Sequence, residues 1–180
     1  MVSTRNKLIL WTGEKHSGKT TSVTNLVEIA RNEGFNVAGL LAPSLYNDSE
    51  LLGFDAIDLH SEARFPLAKR KTGQFTFFTE GIEFGNTALS TTATKSADLV
   101  IVDEFGPLEL NGQGWRKNVD SLITSSNALI LLVVRQELTD EVRQTYAGYS
   151  CRNLAANEPG SIDTVMGILR DCRQLQRETT

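Results

Sequence analysis

The chain has 180 residues, enough for one sizeable hydrophobic core and too few for two. Its 18 Lys and Arg against 22 Asp and Glu leave a net charge of −4, which argues against a general nucleic-acid binder while leaving a local basic patch open. Only Cys151 and Cys172 are present, so there is neither a disulfide framework nor metal-ligand spacing, and a reducing compartment fits best. Both cysteines read as small buried residues. Met1 to Lys7 lacks the apolar core of a signal peptide, and no run reaches transmembrane length. The expected location is the cytoplasm, with no membrane partner.

Lys7 to Thr12 reads as a buried strand, and it runs into Gly13-Glu14-Lys15-His16-Ser17-Gly18-Lys19-Thr20. That stretch matches the phosphate-loop pattern G-x-x-x-x-G-K-[ST] in full. A helix should follow from about Gly18 to Asn32, since Val23, Leu26, Val27 and Ala30 recur on one face and Gly34 stops it. Gly13 and Gly18 permit a tight turn and a close backbone approach to an anion. The amides of Lys15, His16, Ser17, Gly18, Lys19 and Thr20 then form a nest at a helix N-terminus, with Thr21 next in line. Lys19, expected to face solvent within the loop, reaches the β- and γ-phosphates, and the Thr20 hydroxyl ligates Mg²⁺. The pattern implies a bound nucleoside triphosphate, whether ATP, GTP or another.

Val37 to Leu41 is a second apolar strand, closed by Pro43, and Tyr46 to Glu50 reads as a turn. Gly53 to Leu59, Phe65 to Ala68 and Phe75 to Phe78 are short segments, the last two separated by a basic turn from Lys69 to Gly73. This spacing suggests antiparallel hairpins inserted before the next parallel strand. Ile82, Leu89 and Ala93 fit a helix loosely. Ala97 to Glu104 is the second informative stretch: four apolar residues deliver Asp103 and Glu104 at a strand's C-terminal end, where open α/β sheets bind ligands. Asp103 would hold the Mg²⁺ hydration shell, and Glu104 would orient and polarise an attacking water.

Trp115, Val119, Leu122 and Ile123 recur at helical spacing, with Trp115 read as a core aromatic rather than a base-stacking one. Ala128 to Val134 is a continuous apolar strand, and Thr139-Asp140-Glu141 a helix start. Asn153 to Asn157 reads as edge strand and loop. A last helix follows Pro159-Gly160-Ser161 on a face of Ile162, Val165, Met166, Leu169 and Cys172, and the polar tail from Arg173 to Thr180 is expected to fray. With no internal repeat and no linker, residues 1–180 read as one domain. The expected fold is α/β, a three-layer P-loop arrangement with a mostly parallel central sheet and a β-hairpin-rich insertion.

At Val102-Asp103-Glu104-Phe105-Gly106-Pro107-Leu108-Glu109-Leu110 the chain resembles the small P-loop nucleoside-triphosphatases described from thermophiles, which have a human cancer-related member. Their acidic motif reads D-E-[IV]-G-x-[ML]-E-L, and only Phe105 departs from it. Thr20-Thr21, the strand from Val37 to Pro43, and the Gly53-Phe54, Ile57-Asp58-Leu59 and Pro66-Leu67-Ala68 segments are similar too, so the resemblance covers roughly residues 7 to 134. Leu51 stands where the family often has arginine, and Asn153-Leu154 or Asn157-Glu158 copies its N-R-D-x-L poorly. The resemblance implies Mg²⁺-dependent hydrolysis of NTPs to NDPs, broad base selectivity and slow turnover, with Glu109 a supporting carboxylate or else a surface acid.

A nucleotide or small-molecule kinase would use the same loop with an acceptor in the insertion, although no arginine-rich lid is visible. A nucleotide-dependent adaptor is the third reading, its protein partner unspecified; a strict guanine switch is disfavoured because N-K-x-D is absent. No charge-stabilising arginine can be singled out. Arg64, Lys69, Arg70 and Lys71 are candidates to approach the γ-phosphate, although a solvated basic turn is the favoured reading.

Overall fold

The computed structural model describes residues 8–178, with side chains through Leu175. Met1 to Lys7 and the last two residues of the expected fraying tail lie outside the described residues. The element that carries the loop is β1 (Leu8–Gly13), buried along almost its whole length. Its alternation divides the interior. Leu8 and Leu10 face one core cluster, while Ile9 and Trp11 face the other.

The helix α1 (Lys19–Asn32) covers the second face with Val23, Leu26, Val27 and Ala30, beside α6 (Ser161–Glu178), which adds Val165, Met166 and Leu169. On the opposite face lie α2 (Thr79–Ala88), the short α3 (Pro107–Leu110), α4 (Arg116–Ser125) and α5 (Thr139–Thr145). Helices on both faces of one sheet make the expected three layers.

The parallel half of the sheet comprises β1, β2 (Val37–Leu41), β7 (Leu99–Asp103), β8 (Leu129–Arg135) and β9 (Cys151–Ala155). Their order is β2-β7-β8-β1-β9, all parallel. The first four are near-continuous apolar runs, as strands covered on both faces require, whereas β9 is a more polar and exposed edge strand. The other half is the antiparallel insertion: β3 (Ser44–Asn47), β4 (Glu50–Asp58), β5 (Arg64–Lys71) and β6 (Gln74–Phe77). Strand β4 joins it to β2.

Five expectations change. The turn expected from Tyr46 to Glu50 shrinks to Asp48 and Ser49, because Tyr46 and Asn47 pair with Leu51 and Glu50. The basic turn is strand: Lys69, Arg70 and Lys71 belong to β5, and only Thr72 and Gly73, both at positive φ, make the turn. Ala93 lies beyond α2, which ends at Ala88. Helix α6 continues past Arg173 instead of fraying there. The Arg173 guanidinium sits 3.6 Å from the Phe35 ring centroid and donates to the Gly34 carbonyl. Among the described residues, no helix is long and apolar enough to cross a membrane. Neither Cys151 nor Cys172 forms a disulfide; both are half-buried rather than buried, and burial pushes the Cys151 thiol up.

Candidate active site

The loop leaves β1 at Gly13 and enters α1 through Gly18, which adopts a left-handed conformation (φ 81°) as the helix N-cap. Gly13 is needed for a different reason: a Cβ there would stand 2.6 Å from Ser17 Oγ and 3.1 Å from Lys19 Cγ. The loop is therefore folded tightly over its own lysine. Lys19, expected to face solvent, is instead only 6% exposed. Its stem packs under the loop and its Nζ donates to the Glu14 carbonyl at 2.7 Å. Lys15 and His16 form the exposed tip, and Thr21 is exposed in the first turn of α1. Ser17 Oγ is buried and meets no protein partner. A hydroxyl in that condition, inside a ring of backbone donors, suits an anionic ligand.

Strand β8 separates β1 from β7, which puts the loop strand and the acidic strand about 10 Å apart. The first turn of α1 crosses that gap: Thr20 Oγ1 donates to Asp103 Oδ2 at 2.9 Å. The end of β2 closes the other side, where the Ala42 amide donates to the same oxygen at 3.2 Å. Asp103 is buried, and burial pushes its carboxyl up to about 7 despite the opposing Thr20 and Ala42 hydrogen bonds. A divalent cation at this point favours the charged carboxylate. Among the described residues, no group of three or more His, Cys, Asp or Glu could hold a metal. One carboxylate and one hydroxyl match instead the way Mg²⁺ binds beside substrate phosphates, with water completing its shell.

The next residue, Glu104, follows a cis peptide and is half-exposed. Its Oε1 accepts from Arg135 Nε at 2.7 Å. Arg135 ends β8 and pairs in register with Gly13. Glu109 proves to be buried, at 5% exposure, so it is not a surface acid. Its two oxygens accept from the Gly106 and Trp115 amides at 3.0 and 3.2 Å, fixing the turn that carries the chain away from Glu104. Burial nonetheless pushes its carboxyl up. Trp115 is a core residue, with its indole N–H on the Ile82 carbonyl at 3.3 Å.

The basic candidates of the insertion are dispersed. Arg64 pairs with Asp55. Along β5, Arg70 points to the face opposite Lys69 and Lys71. Arg70 joins Lys15 and His16 around a cavity of about 910 Å³ between the loop's tip and the hairpin ends, with Tyr46, Glu50 and Phe75. Two contacts at the site have no counterpart in the sequence reading. Arg135 looks like any charged strand end, although its position after an apolar run is the same signal that marks Asp103. Asn157 donates to the Ser17 carbonyl at 2.7 Å and braces the loop from the β9 side.

A helix-capped glycine loop that reaches over one strand to an acidic strand end is the architecture of the P-loop nucleotide-binding proteins. Within that class the chain belongs to the NTPase family, whose model matches residues 8–154. It is 33% identical over 135 residues to the nucleoside-triphosphatase THEP1 of Methanothermobacter thermautotrophicus, covering 72% of this chain and 78% of that one. The THEP1 of Archaeoglobus fulgidus is 31% identical over 158 residues, 82% of this chain and 93% of its own. Two solved structures share the fold at 20% identity. They are a human cancer-related nucleoside triphosphatase (TM-score 0.65, 97% of this chain and 99% of that one) and THEP1 from Aquifex aeolicus (TM-score 0.67, 90% and 98%). The chain is a nucleoside-triphosphate hydrolase.

Proposed function

We propose that this hydrolase cleaves the β–γ phosphoanhydride of nucleoside triphosphates in a Mg²⁺-dependent reaction, slowly and with little regard for the base. The observation that carries the reading is the 2.9 Å contact between Thr20 and Asp103, which joins the loop helix to the acidic strand at one point. Thr20 and Asp103 would hold Mg²⁺, which when bound neutralises charge on the β- and γ-oxygens. The amides of Gly13, Lys15, His16, Ser17, Gly18, Lys19 and Thr20, with Thr21 behind them, would cradle the phosphates. Lys19 would exchange the Glu14 carbonyl for a phosphate oxygen. Glu104, one residue beyond Asp103, would accept a hydrogen bond from water in line with the γ-phosphorus and draw off its proton.

Weak base selectivity is supported by the nature of these groups, all of which suit phosphate and metal rather than a base edge. Discrimination among ATP, GTP, CTP and UTP is expected to stay below about a hundredfold, or ~2.7 kcal/mol. A single domain of residues 1–180 is supported by one sheet that takes strands from Leu8 to Ala155, and the cytoplasm, the location expected from the sequence, completes the reading. A kinase reading is favoured by one observation only, the wide cavity beside the loop's tip, which has room for an acceptor.

The test is phosphate release from each NTP, with and without Mg²⁺ and with and without candidate acceptors, on wild type and Glu104→Gln. The variant is expected to lose about 10²–10⁴-fold in single-turnover rate while its affinity for a non-hydrolysable analogue stays within about threefold. Equal losses in rate and affinity remove Glu104 from the role of water-activating base. Nucleotide loss that depends on an acceptor transfers the reading to a kinase.

A further inference from the structure

Arg135 occupies the floor of the site. Its backbone pairs with Gly13, where the phosphate loop begins, and β8's other neighbour, β7, ends two residues short of it, with Asp103 paired to Val133. The residue therefore stands two positions beyond the Asp103 register, between the loop and the acidic strand end. Its side chain is about one-third exposed and spends only one donor on protein, Nε to Glu104 Oε1 at 2.7 Å. Among the described residues, neither Nη1 nor Nη2 meets an acceptor. A part-exposed ion pair of this kind adds little to stability. A guanidinium anchored through Nε and open at both Nη groups is, by contrast, a pre-aimed fork for phosphate oxygens.

We propose that Arg135 is a catalytic residue of the phosphoryl transfer, holding Glu104 through Nε while Nη1 and Nη2 contact the γ-phosphoryl oxygens and the oxygen that leaves. The inference rests on the hydrolytic reading of the site. In the reaction, the water oxygen bonds to the γ-phosphorus and the bond to the β–γ bridging oxygen breaks, its electron pair departing on the diphosphate. The water proton passes to Glu104 and then to solvent. Arg135 transfers no proton; it neutralises charge as that bond breaks. It acts in cis, from the end of a buried strand, so no second protein is needed to bring a guanidinium to the phosphate. The insertion's own cations are not used: Arg64 is paired with Asp55, and Arg70 borders the outer cavity.

The experiment compares Arg135→Ala, Arg135→Lys, Glu104→Gln, the Arg135→Ala/Glu104→Gln double variant and Lys19→Ala, each first checked for cooperative unfolding well above the assay temperature. Three quantities are read: single-turnover hydrolysis, affinity for a non-hydrolysable triphosphate, and capture of ADP with aluminium fluoride and Mg²⁺ as a mimic of the transferring phosphoryl group. Arg135→Ala is expected to lose about 10³-fold in rate and to lose the mimic, while ground-state affinity changes less than about fivefold. Arg135→Lys keeps the charge but not the fork, and should recover part of the rate while remaining at least about tenfold below wild type. The double variant should fall below Glu104→Gln alone, because the phosphoryl contact is lost in addition to the tether.

Two results overturn the proposal: Arg135→Ala turning over within about threefold of wild type, or a double variant no slower than Glu104→Gln, which makes Arg135 a tether only. If Arg135→Ala does not fold, Arg135→Lys and Arg135→Gln carry the same comparison. Lys19→Ala separates this failure from failure of the hydrolytic reading, since undiminished turnover there removes the phosphate loop itself.

Discussion

The parallel half of the sheet and the antiparallel insertion share one hydrogen-bonded ladder and little else. In the parallel half, β2 and β7 are buried at every residue, and β1 at all but its last. In the insertion, β3 and β6 each have three of four residues exposed, and Tyr46 and Phe77 stand 53% and 42% open. The groups proposed for the phosphate chemistry come from the first region: Lys19 and Thr20 after β1, Asp103 and Glu104 at the end of β7, and Arg135 at the end of β8. The second region contributes the wall of a wide cavity. The contrast teaches where positional precision is held. Side chains that must be aimed project from strands locked on both faces, and side chains that need only be nearby project from a thin hairpin sheet.

Breaking the first region should have the largest effect. Lys19→Ala is expected to lower single-turnover hydrolysis by about 10³-fold or more by removing charge at the phosphates. Because Lys19 is buried beneath its own loop, a fall in melting temperature should accompany the loss. A change below about tenfold removes the loop from the chemistry.

Glu109→Gln tests the packing behind the acidic strand rather than the chemistry. Both oxygens of Glu109 accept from backbone amides, and an amide side chain must turn its NH₂ toward one of those donors. A loss of about 1–3 kcal/mol is expected in denaturant unfolding. The pH dependence has a definite sign. Burial raises the folded-state pKa, so this carboxyl's contribution is fully present below the unfolded value and declines as pH rises through the folded one. The gap between wild type and Glu109→Gln should therefore be widest at acid pH and narrow as pH rises. A gap that widens with pH contradicts the burial argument.

The smallest effects belong to the insertion. Tyr46→Ser and Phe77→Ser remove exposed aromatics and should each change stability by no more than about 0.5 kcal/mol. Their effect on turnover sharpens the comparison: less than about threefold leaves the insertion a passive wall, whereas a large rise in KM for one base would make it a reader of the nucleotide.

Legibility in the sequence divides along the same line. The loop is readable because its glycines, lysine and threonine answer to one geometry at fixed spacing, and β7 because an apolar run ends in two acids in a chain that carries a full phosphate loop. The register of the insertion is not. In β5 the triplet Lys69-Arg70-Lys71 carries charge on both faces of an exposed strand, so the alternation that marks strands is erased. Glu109 is ambiguous because its partners are backbone amides, which every residue but proline possesses and no residue name reveals. Lys19 reads as solvent-facing because a long charged chain is usually exposed; the tight turn that buries its stem depends on Gly13. Arg135 and Asn157 are placed beside the loop by neighbours more than a hundred positions away, Gly13 in register and the Ser17 carbonyl, a relation that only the folded sheet discloses.

The place of β1 in that order has a consequence for how the molecule comes into being. Leu8 lies beside Ile130 on one flank and Cys151 on the other, both far later in the chain. This strand is therefore made well before either partner, and loops of more than a hundred residues must close for it to pair. Neither α1 nor the insertion provides a substitute edge, since β2 and β4 pair with each other and β2 pairs with β7. A nascent chain halted short of Leu129 contains every residue from Gly13 to Thr20 but neither of the strands that flank β1.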